Sequence, residues 1–243
     1  MAERTGWVDH IPVIWVEPGT TPAPLALWLP PLGTNKEWVL PFLRELAGAG
    51  FTAVSFDPWQ HGERGTESAE EIRARVFGAF RRHMWPILGQ TTLDALRVLD
   101  EFDAGDVVAG GVSMGGDVAV ALAGIDPSVS CVATIVSTPD WTRPGMRELA
   151  DPSKDLPQGE ADAYAQWFYN QLDPMTHTER YTRGQAILFE CGGDDHHVPA
   201  DGALRFAEAV GDSVQVNVRP GRGHMDAMTP EVLQSCLDWL SRR

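Results

Sequence analysis

Short apolar runs alternate with amphipathic helical segments from Leu25 to the C-terminus, and this alternation constrains the fold more than any other feature. Runs such as Val107–Val112 and 186–190 have the length and apolar content of strands buried on both faces. Strands that alternate with helices are typical of βαβ units, in which helices cover a parallel sheet. We therefore predict a single α/β domain over residues 1–243, with residues 11–16 as an antiparallel edge strand.

Two stretches interrupt the regular pattern. Pro86 follows an amphipathic helical run, and because proline usually breaks a helix we predict one helix over residues 67–83 and a second from Pro86 to Phe102. Residues 138–181 are long, polar, rich in proline and interspersed with aromatic residues. A segment of that length between two core strands is usually functional. We predict that it is a cap or lid inserted into the domain, and we call it the cap segment.

Composition excludes several classes of function. The formal net charge of −15 repels phosphate backbones and anionic lipid, so we expect neither nucleic acid nor a membrane as partner. Three scattered cysteines without a CxxC pair predict neither a disulfide framework nor a zinc site. The N-terminal residues lack a continuous apolar run of the kind found in secretory signals. We expect a cytoplasmic protein that acts on a small molecule and needs no cofactor or metal.

The segment GGVSMGG at residues 110–116 lies between an apolar run and a helical run. In that context a GxSxG sequence predicts a nucleophile elbow, a sharp strand-to-helix turn that exposes a serine hydroxyl. Glycines on either side remove side chains that would collide with neighbouring backbone. The alternative is a glycine-rich turn whose serine only caps the helix. The strand before it, the helix after it and the partners downstream favour Ser113 as a nucleophile.

From about Leu25 to the C-terminus the chain resembles the α/β-hydrolase family, in particular its compact esterase and peptidase-like members with a short helical cap. The resemblance implies a catalytic triad in the chain order serine, acid, histidine. His224, in the loop PGRGH after the strand pattern at 214–218, is similar in position to the family's catalytic histidine. A solvated surface histidine is the alternative, and position and chain order favour the catalytic role.

The loop CGGDDHHVP at residues 191–199 is similar to the family's Gly-x-x-Asp-x-x-Val-Pro loop, which carries the acid. The resemblance implies Asp195 as the acid, with Asp194 as the alternative. A metal bound by the two aspartates and the two histidines of this loop is a further interpretation. Consecutive residues on an extended loop point in different directions, and no distant ligand set completes such a site.

Acyl transfer also needs donors for the oxyanion, and the resemblance implies two backbone N–H groups. One belongs to Met114, and the other to Leu32 in the segment PPLG at residues 30–33, with Gly33 as the alternative. The family usually has His-Gly-x-Gly at this place, and prolines cannot donate. As substrate-binding candidates we predict one glycine, three tryptophans and one methionine: Gly33, Trp59, Trp141, Trp167 and Met225.

These residues predict a serine hydrolase that cleaves carboxylic esters through an acyl-enzyme. A thioesterase, a lactonase or a small peptidase would use the same triad, and the sequence leaves these alternatives open. A ligand-binding receptor that has lost catalysis is the alternative outside enzymes. A serine at the elbow argues against dehalogenase and epoxide-hydrolase chemistry, which the family performs with aspartate.

Overall fold

Eight strands form one mostly parallel sheet in a computed structural model that describes residues 1–19, 22–103 and 105–242. The spatial order is β1-β2-β4-β3-β5-β6-β7-β8, in which β3 to β8 run parallel and β1 and β2 are antiparallel. The predicted α/β-hydrolase fold is confirmed. The strands are β1 (Ala2–Val8), β2 (Ile11–Glu17), β3 (Leu25–Leu29), β4 (Thr52–Phe56), β5 (Val107–Val112), β6 (Val129–Ile135), β7 (Ala186–Gly192) and β8 (Val214–Arg219).

The described part of the chain contains seven α-helices, several of which cover the sheet. Two of them, α1 and α7, pack on one face, and α3 and α4 pack on the other. Every residue of β3 and β5 is buried between these layers, which explains why both strands are continuous apolar runs. The helices are α1 (Leu40–Gly48), α2 (Ala69–Gly78), α3 (Phe80–Glu101), α4 (Met114–Ile125), α5 (Ala163–Leu172), α6 (Asp201–Val210) and α7 (Pro230–Leu240).

The edge of the sheet holds a strand that the sequence pattern missed. β1 pairs with β2 along its whole length, from Ala2 opposite Glu17 to Val8 opposite Ile11. Only Val8 of its seven residues is buried. An edge strand exposed on both faces has no apolar alternation, and backbone pairing in the hairpin holds it in place.

The break between α2 and α3 lies at Ala79, whose φ of −158° and ψ of 75° are not helical. The predicted break at Pro86 is therefore wrong, because α3 continues through that proline. Pro86 lies near the end of the second turn of α3, where its missing N–H costs the helix one backbone hydrogen bond.

The cap segment is packed on α3 through aromatic side chains of α5. Tyr169 stacks on Trp85 with ring centroids 4.4 Å apart. Phe168 lies so close to Gly89 that an added Cβ there would come within 2.1 Å of its ring. The backbone carbonyl of Trp141 accepts a 2.9 Å hydrogen bond from the Trp85 indole. These contacts attach the segment to the domain, and its role as a lid stays a prediction.

Candidate active site

Ser113 forms the whole connection between β5 and α4. Its φ of 51° and ψ of −119° are strained for a residue with a side chain. The turn is possible because glycines leave room around it: a Cβ on Gly115 would lie 2.2 Å from the Leu29 carbonyl oxygen. A sharp turn at the carboxyl end of a central strand exposes the serine hydroxyl above the sheet.

Ser113, His224 and Asp195 are joined by two hydrogen bonds. The His224 Nε2 atom lies 3.1 Å from the Ser113 hydroxyl oxygen, and its Nδ1 lies 2.8 Å from Asp195 Oδ2. The second oxygen of Asp195 accepts backbone N–H groups from His197 and Val198 at 2.9 and 2.8 Å. With both oxygens engaged, the buried Asp195 carboxylate is fixed toward His224. This arrangement can move a proton from the serine hydroxyl to the imidazole.

The neighbouring Asp194 is placed differently. Its side chain is exposed, and its backbone N–H donates to the Arg222 carbonyl at 2.9 Å. The structure therefore brings Asp195, and not Asp194, to His224. No group of three or more His, Cys, Asp or Glu side chains could hold a metal ion within the described ranges.

His197 is a site residue that the sequence analysis considered only as a metal ligand. Its buried ring meets the His224 ring edge-on, with centroids 5.0 Å apart. Burial lowers its pKa to about 3, and the nearby Arg143 guanidinium opposes its protonation further. The ring is thus neutral near pH 7, with Nδ1 lying 2.9 Å from the Arg147 carbonyl oxygen. In the sequence, its position two residues after the predicted acid Asp195 was the feature that could have placed it near the site.

A cavity of about 440 Å³ opens beside Ser113 and His224. Its wall is mainly apolar and includes two of the predicted residues, Leu32 and Met225. The remaining wall residues come from segments far apart in the sequence. They are Pro31, Thr34, Trp38, Arg73, Phe77, Met84, Val112, Val136, Arg143, Leu149, His197 and Met228.

The other predicted binding residues lie outside this wall. Gly33 lines a neighbouring cavity together with His61. Trp141 is completely buried, and half-buried Trp59 packs under the Arg64 guanidinium. Trp167 lies on the outer side of α5 and is 52% exposed. These tryptophans serve packing and surface roles, so the cavity takes its aromatic character from Trp38 and Phe77.

The two predicted oxyanion donors occupy suitable places in the backbone. Met114 begins α4, where the first N–H groups of a helix have no intrahelical acceptor. Leu32 lies in a tight turn that Thr34 closes by donating its N–H and its hydroxyl to the Pro31 carbonyl, at 3.2 and 2.8 Å. Leu32 and Ser113 both border the cavity, so the turn faces the nucleophile.

A buried ion pair supports the site from behind. Asp117 of α4 accepts the Thr138 N–H at 2.8 Å and is paired with Arg143. Both side chains are almost fully buried, and Arg143 also lies against the ring of Phe80. The pair connects the first turn of the elbow helix to the start of the cap segment. It thereby fixes the far wall of the cavity relative to Ser113.

No helix among the described residues is long and apolar enough to cross a membrane. Other proteins resemble the chain in sequence and in structure. A model of the prolyl oligopeptidase family matches residues 90–243. The chain is 28% identical over 247 residues to esterase YjfP of Escherichia coli (strain K12), and the match covers 93% of each protein.

Two solved structures illustrate the shared fold. A Thermus thermophilus protein has a TM-score of 0.75 at 24% identity, over 100% of this chain and 98% of that one. A puromycin-hydrolyzing peptidase of Mycobacterium tuberculosis has a TM-score of 0.69 at 15% identity, over 99% of this chain and 39% of that one. Identities this low show a common fold. The three residues joined by hydrogen bonds all lie within the part that matches the family model.

Proposed function

The chain belongs to the prolyl oligopeptidase family, whose members have the α/β-hydrolase fold, and from that premise we propose that this serine hydrolase cleaves carboxylic esters. The observation that carries the proposal is the hydrogen-bonded series Ser113–His224–Asp195 at the edge of a mainly apolar cavity. A positioned base, a positioned acid and a serine hydroxyl that borders a cavity are the parts that acyl transfer requires.

In the proposed mechanism His224 Nε2 takes the proton of Ser113 while the serine oxygen attacks the ester carbonyl. Asp195 holds Nδ1 and stabilises the imidazolium that forms. The Met114 and Leu32 N–H groups donate to the oxyanion. The tetrahedral intermediate collapses, and the alcohol leaves with the proton from His224. Water, deprotonated by His224, then attacks the acyl-serine, releases the acid and restores the Ser113 hydroxyl.

An ester is favoured over a peptide by the apolar wall and by the esterase relative, which matches over 93% of both chains. The family match and the puromycin-hydrolyzing neighbour favour a peptidase as the second candidate. That neighbour is much longer, since the match covers only 39% of it. Thioesters and lactones would fit the same chemistry.

The proposal is tested by initial rates on p-nitrophenyl esters from acetate to palmitate. We compare the wild type with Ser113→Ala and with Ser128→Ala, a serine before β6 at the opposite end of the sheet. Loss of the nucleophile lowers the rate by at least about a thousand-fold, since the residual rate comes from binding and the oxyanion donors alone. Ser128→Ala retains the wild-type rate and chain-length optimum.

Equal rates in Ser113→Ala and the wild type would reject Ser113 as the nucleophile. A wild type that cleaves none of the esters but cleaves aminoacyl p-nitroanilides would replace the esterase by the peptidase. Thermal unfolding of Ser113→Ala separates a loss of chemistry from a loss of folding, and Ser128→Ala controls for the removal of a serine hydroxyl outside the cavity.

A further inference from the structure

The cavity beside Ser113 has an unusual balance of charge for this chain. Acidic residues outnumber lysine and arginine by 34 to 19 in the sequence. Yet, among the residues that the structure describes, the wall of the cavity contains two arginines, Arg73 and Arg143, and no aspartate or glutamate. Cationic groups in the wall of a cavity attract negative charge on a molecule that enters it.

The two arginines differ in how their charge is compensated. Arg143 is paired with the buried carboxylate of Asp117, so this pair is close to neutral. Arg73 is half-buried, and in the described ranges its guanidinium has no ion pair, hydrogen bond or aromatic partner. By contrast Arg75, two residues along the same helix, is paired with Glu67 at 2.6 Å. Among the described residues that border the cavity, Arg73 is thus the arginine whose charge has no partner.

Arg73 lies against the turn that we propose to supply an oxyanion donor. A Cβ on Gly33 would come within 2.7 Å of the Arg73 Nη1 atom, so this guanidinium rests on the glycine next to Leu32. Phe77, one helical turn along α2, continues the same wall. An anion held by Arg73 would therefore lie in the cavity that contains the scissile ester.

A half-buried guanidinium without a partner has lost part of its hydration and gained nothing in exchange. A carboxylate compensates this loss best, because its two oxygens match the planar fork of donors. We propose that Arg73 is a specificity-determining residue that binds a free carboxylate on the substrate. The substrate class is then an ester that also carries an ionised carboxyl group, such as a monoester of a dicarboxylic acid. This inference rests on the proposed function.

The test compares pairs of esters that differ only in charge. In the first pair, monoethyl glutarate carries a carboxylate on the acyl side and ethyl pentanoate is its neutral counterpart. In the second pair, the butyrate ester of 3-hydroxypropanoate carries the carboxylate on the alcohol side and propyl butyrate is its neutral counterpart. Acid release at pH 8 gives kcat/KM for the wild type, Arg73→Gln and Arg75→Gln. Arg75→Gln is the matched control. It also removes a guanidinium from α2, but the Arg75 side chain does not border the cavity.

We expect the wild type to prefer the charged ester in one of the two pairs. Arg73→Gln lowers that ratio of kcat/KM by about ten-fold or more, because a charge-assisted bidentate contact is lost. Arg75→Gln leaves the ratio within two-fold of the wild type. An unchanged ratio in Arg73→Gln, or no preference in either pair, would overturn the inference. An equal loss on charged and neutral esters would also overturn it and assign Arg73 to support of the turn at Gly33.

Binding provides a readout that does not depend on turnover. In the Ser113→Ala background, monoethyl glutarate and the butyrate ester of 3-hydroxypropanoate are each titrated by calorimetry with and without Arg73→Gln. A Kd at least about ten-fold weaker in the double variant for one of them supports carboxylate binding even if no ester is hydrolysed. An equal Kd for both contradicts it even if esters are hydrolysed. Failure of the esterase and failure of the carboxylate site are thus separate results.

Discussion

Two adjacent aspartates in the loop after β7 have the same chemistry and opposite surroundings. Asp195 is buried and directs one oxygen to His224, whereas Asp194 is exposed to solvent. We expect Asp195→Asn to lower kcat on a p-nitrophenyl ester by about a thousand- to ten-thousand-fold, because an amide favours the wrong imidazole tautomer. Steady-state kinetics at pH 8 measure this loss.

Asp194→Asn is the matched control, with the same substitution one residue earlier. It keeps kcat within two-fold of the wild type, and thermal unfolding verifies that both variants are folded. A large loss in Asp194→Asn, with normal activity in Asp195→Asn, would assign the acid to the exposed residue and contradict the geometry.

At the same scale, the residues that sequence could predict are those that lie on a recognisable loop. Ser113, Asp195 and His224 each follow a strand in a fixed chain order, so local motifs predict them. Arg73 lies on no such loop, and although His197 shares the loop of Asp195, its contact with His224 depends on what the fold places opposite it. The prediction of tryptophans as substrate-binding residues failed for a related reason. An aromatic side chain packs as well in the hydrophobic core, as Trp141 does, as it would in a binding cavity.

At the scale of the element, the turn after β4 is held by a buried histidine. The His61 Nδ1–H donates to the Trp59 carbonyl at 2.8 Å, and its buried Nε2 has no hydrogen-bond partner among the described residues. Next to it, the Asp57 carboxylate accepts N–H groups of Lys36 and Glu63. The turn therefore depends on a neutral imidazole at its centre.

Burial lowers the pKa of His61 to about 4, against about 6.5 in the unfolded chain. Between these values the unfolded state binds more protons than the folded state, so acidification lowers the free energy of unfolding. From pH 7 to pH 5 His61 alone costs about 2 kcal/mol of stability. From pH 7 to pH 5, we expect the free energy of unfolding of His61→Gln to fall by about 2 kcal/mol less than that of the wild type, as measured by urea unfolding.

The exposed His10 provides the matched control for this experiment. His10→Gln should lose as much stability between pH 7 and pH 5 as the wild type does. If His61→Gln also follows the wild type, then the histidine is protonated at pH 5 within the fold, and the turn does not depend on a neutral ring.

Element boundaries show where local sequence rules stop. Pro86 lies inside α3, whereas the helical conformation is interrupted at Ala79, between α2 and α3. Helix interruption depends on the whole packing arrangement, and the α3–α5 contact keeps the helix intact around Trp85. β1 was missed for the opposite reason, because a hairpin edge needs pairing and not apolar residues.

At the scale of the whole molecule, the alternation of apolar runs and helices predicted the parallel sheet because each buried strand must be apolar on both faces. The charge of the chain is independent of that pattern. Ion pairs such as Arg64–Asp94 and Arg219–Glu190 join the described residues, and a net charge of −15 remains. Local pairing and global repulsion therefore act in opposite directions on stability.

If salt stabilises the protein, repulsion between like charges affects its stability more than the local ion pairs do. Sodium chloride at 300 mM reduces the Debye length to under about 10 Å, which screens distant like charges more than buried pairs such as Lys36–Asp57. We expect the thermal midpoint at pH 7 to rise by a few degrees between 10 and 300 mM salt. Near pH 4.7, the sequence pI, net repulsion vanishes, so the same salt series should no longer raise the midpoint. A midpoint that falls with salt at pH 7 would mean that exposed ion pairs, and not the net charge, dominate the electrostatic stability of this fold.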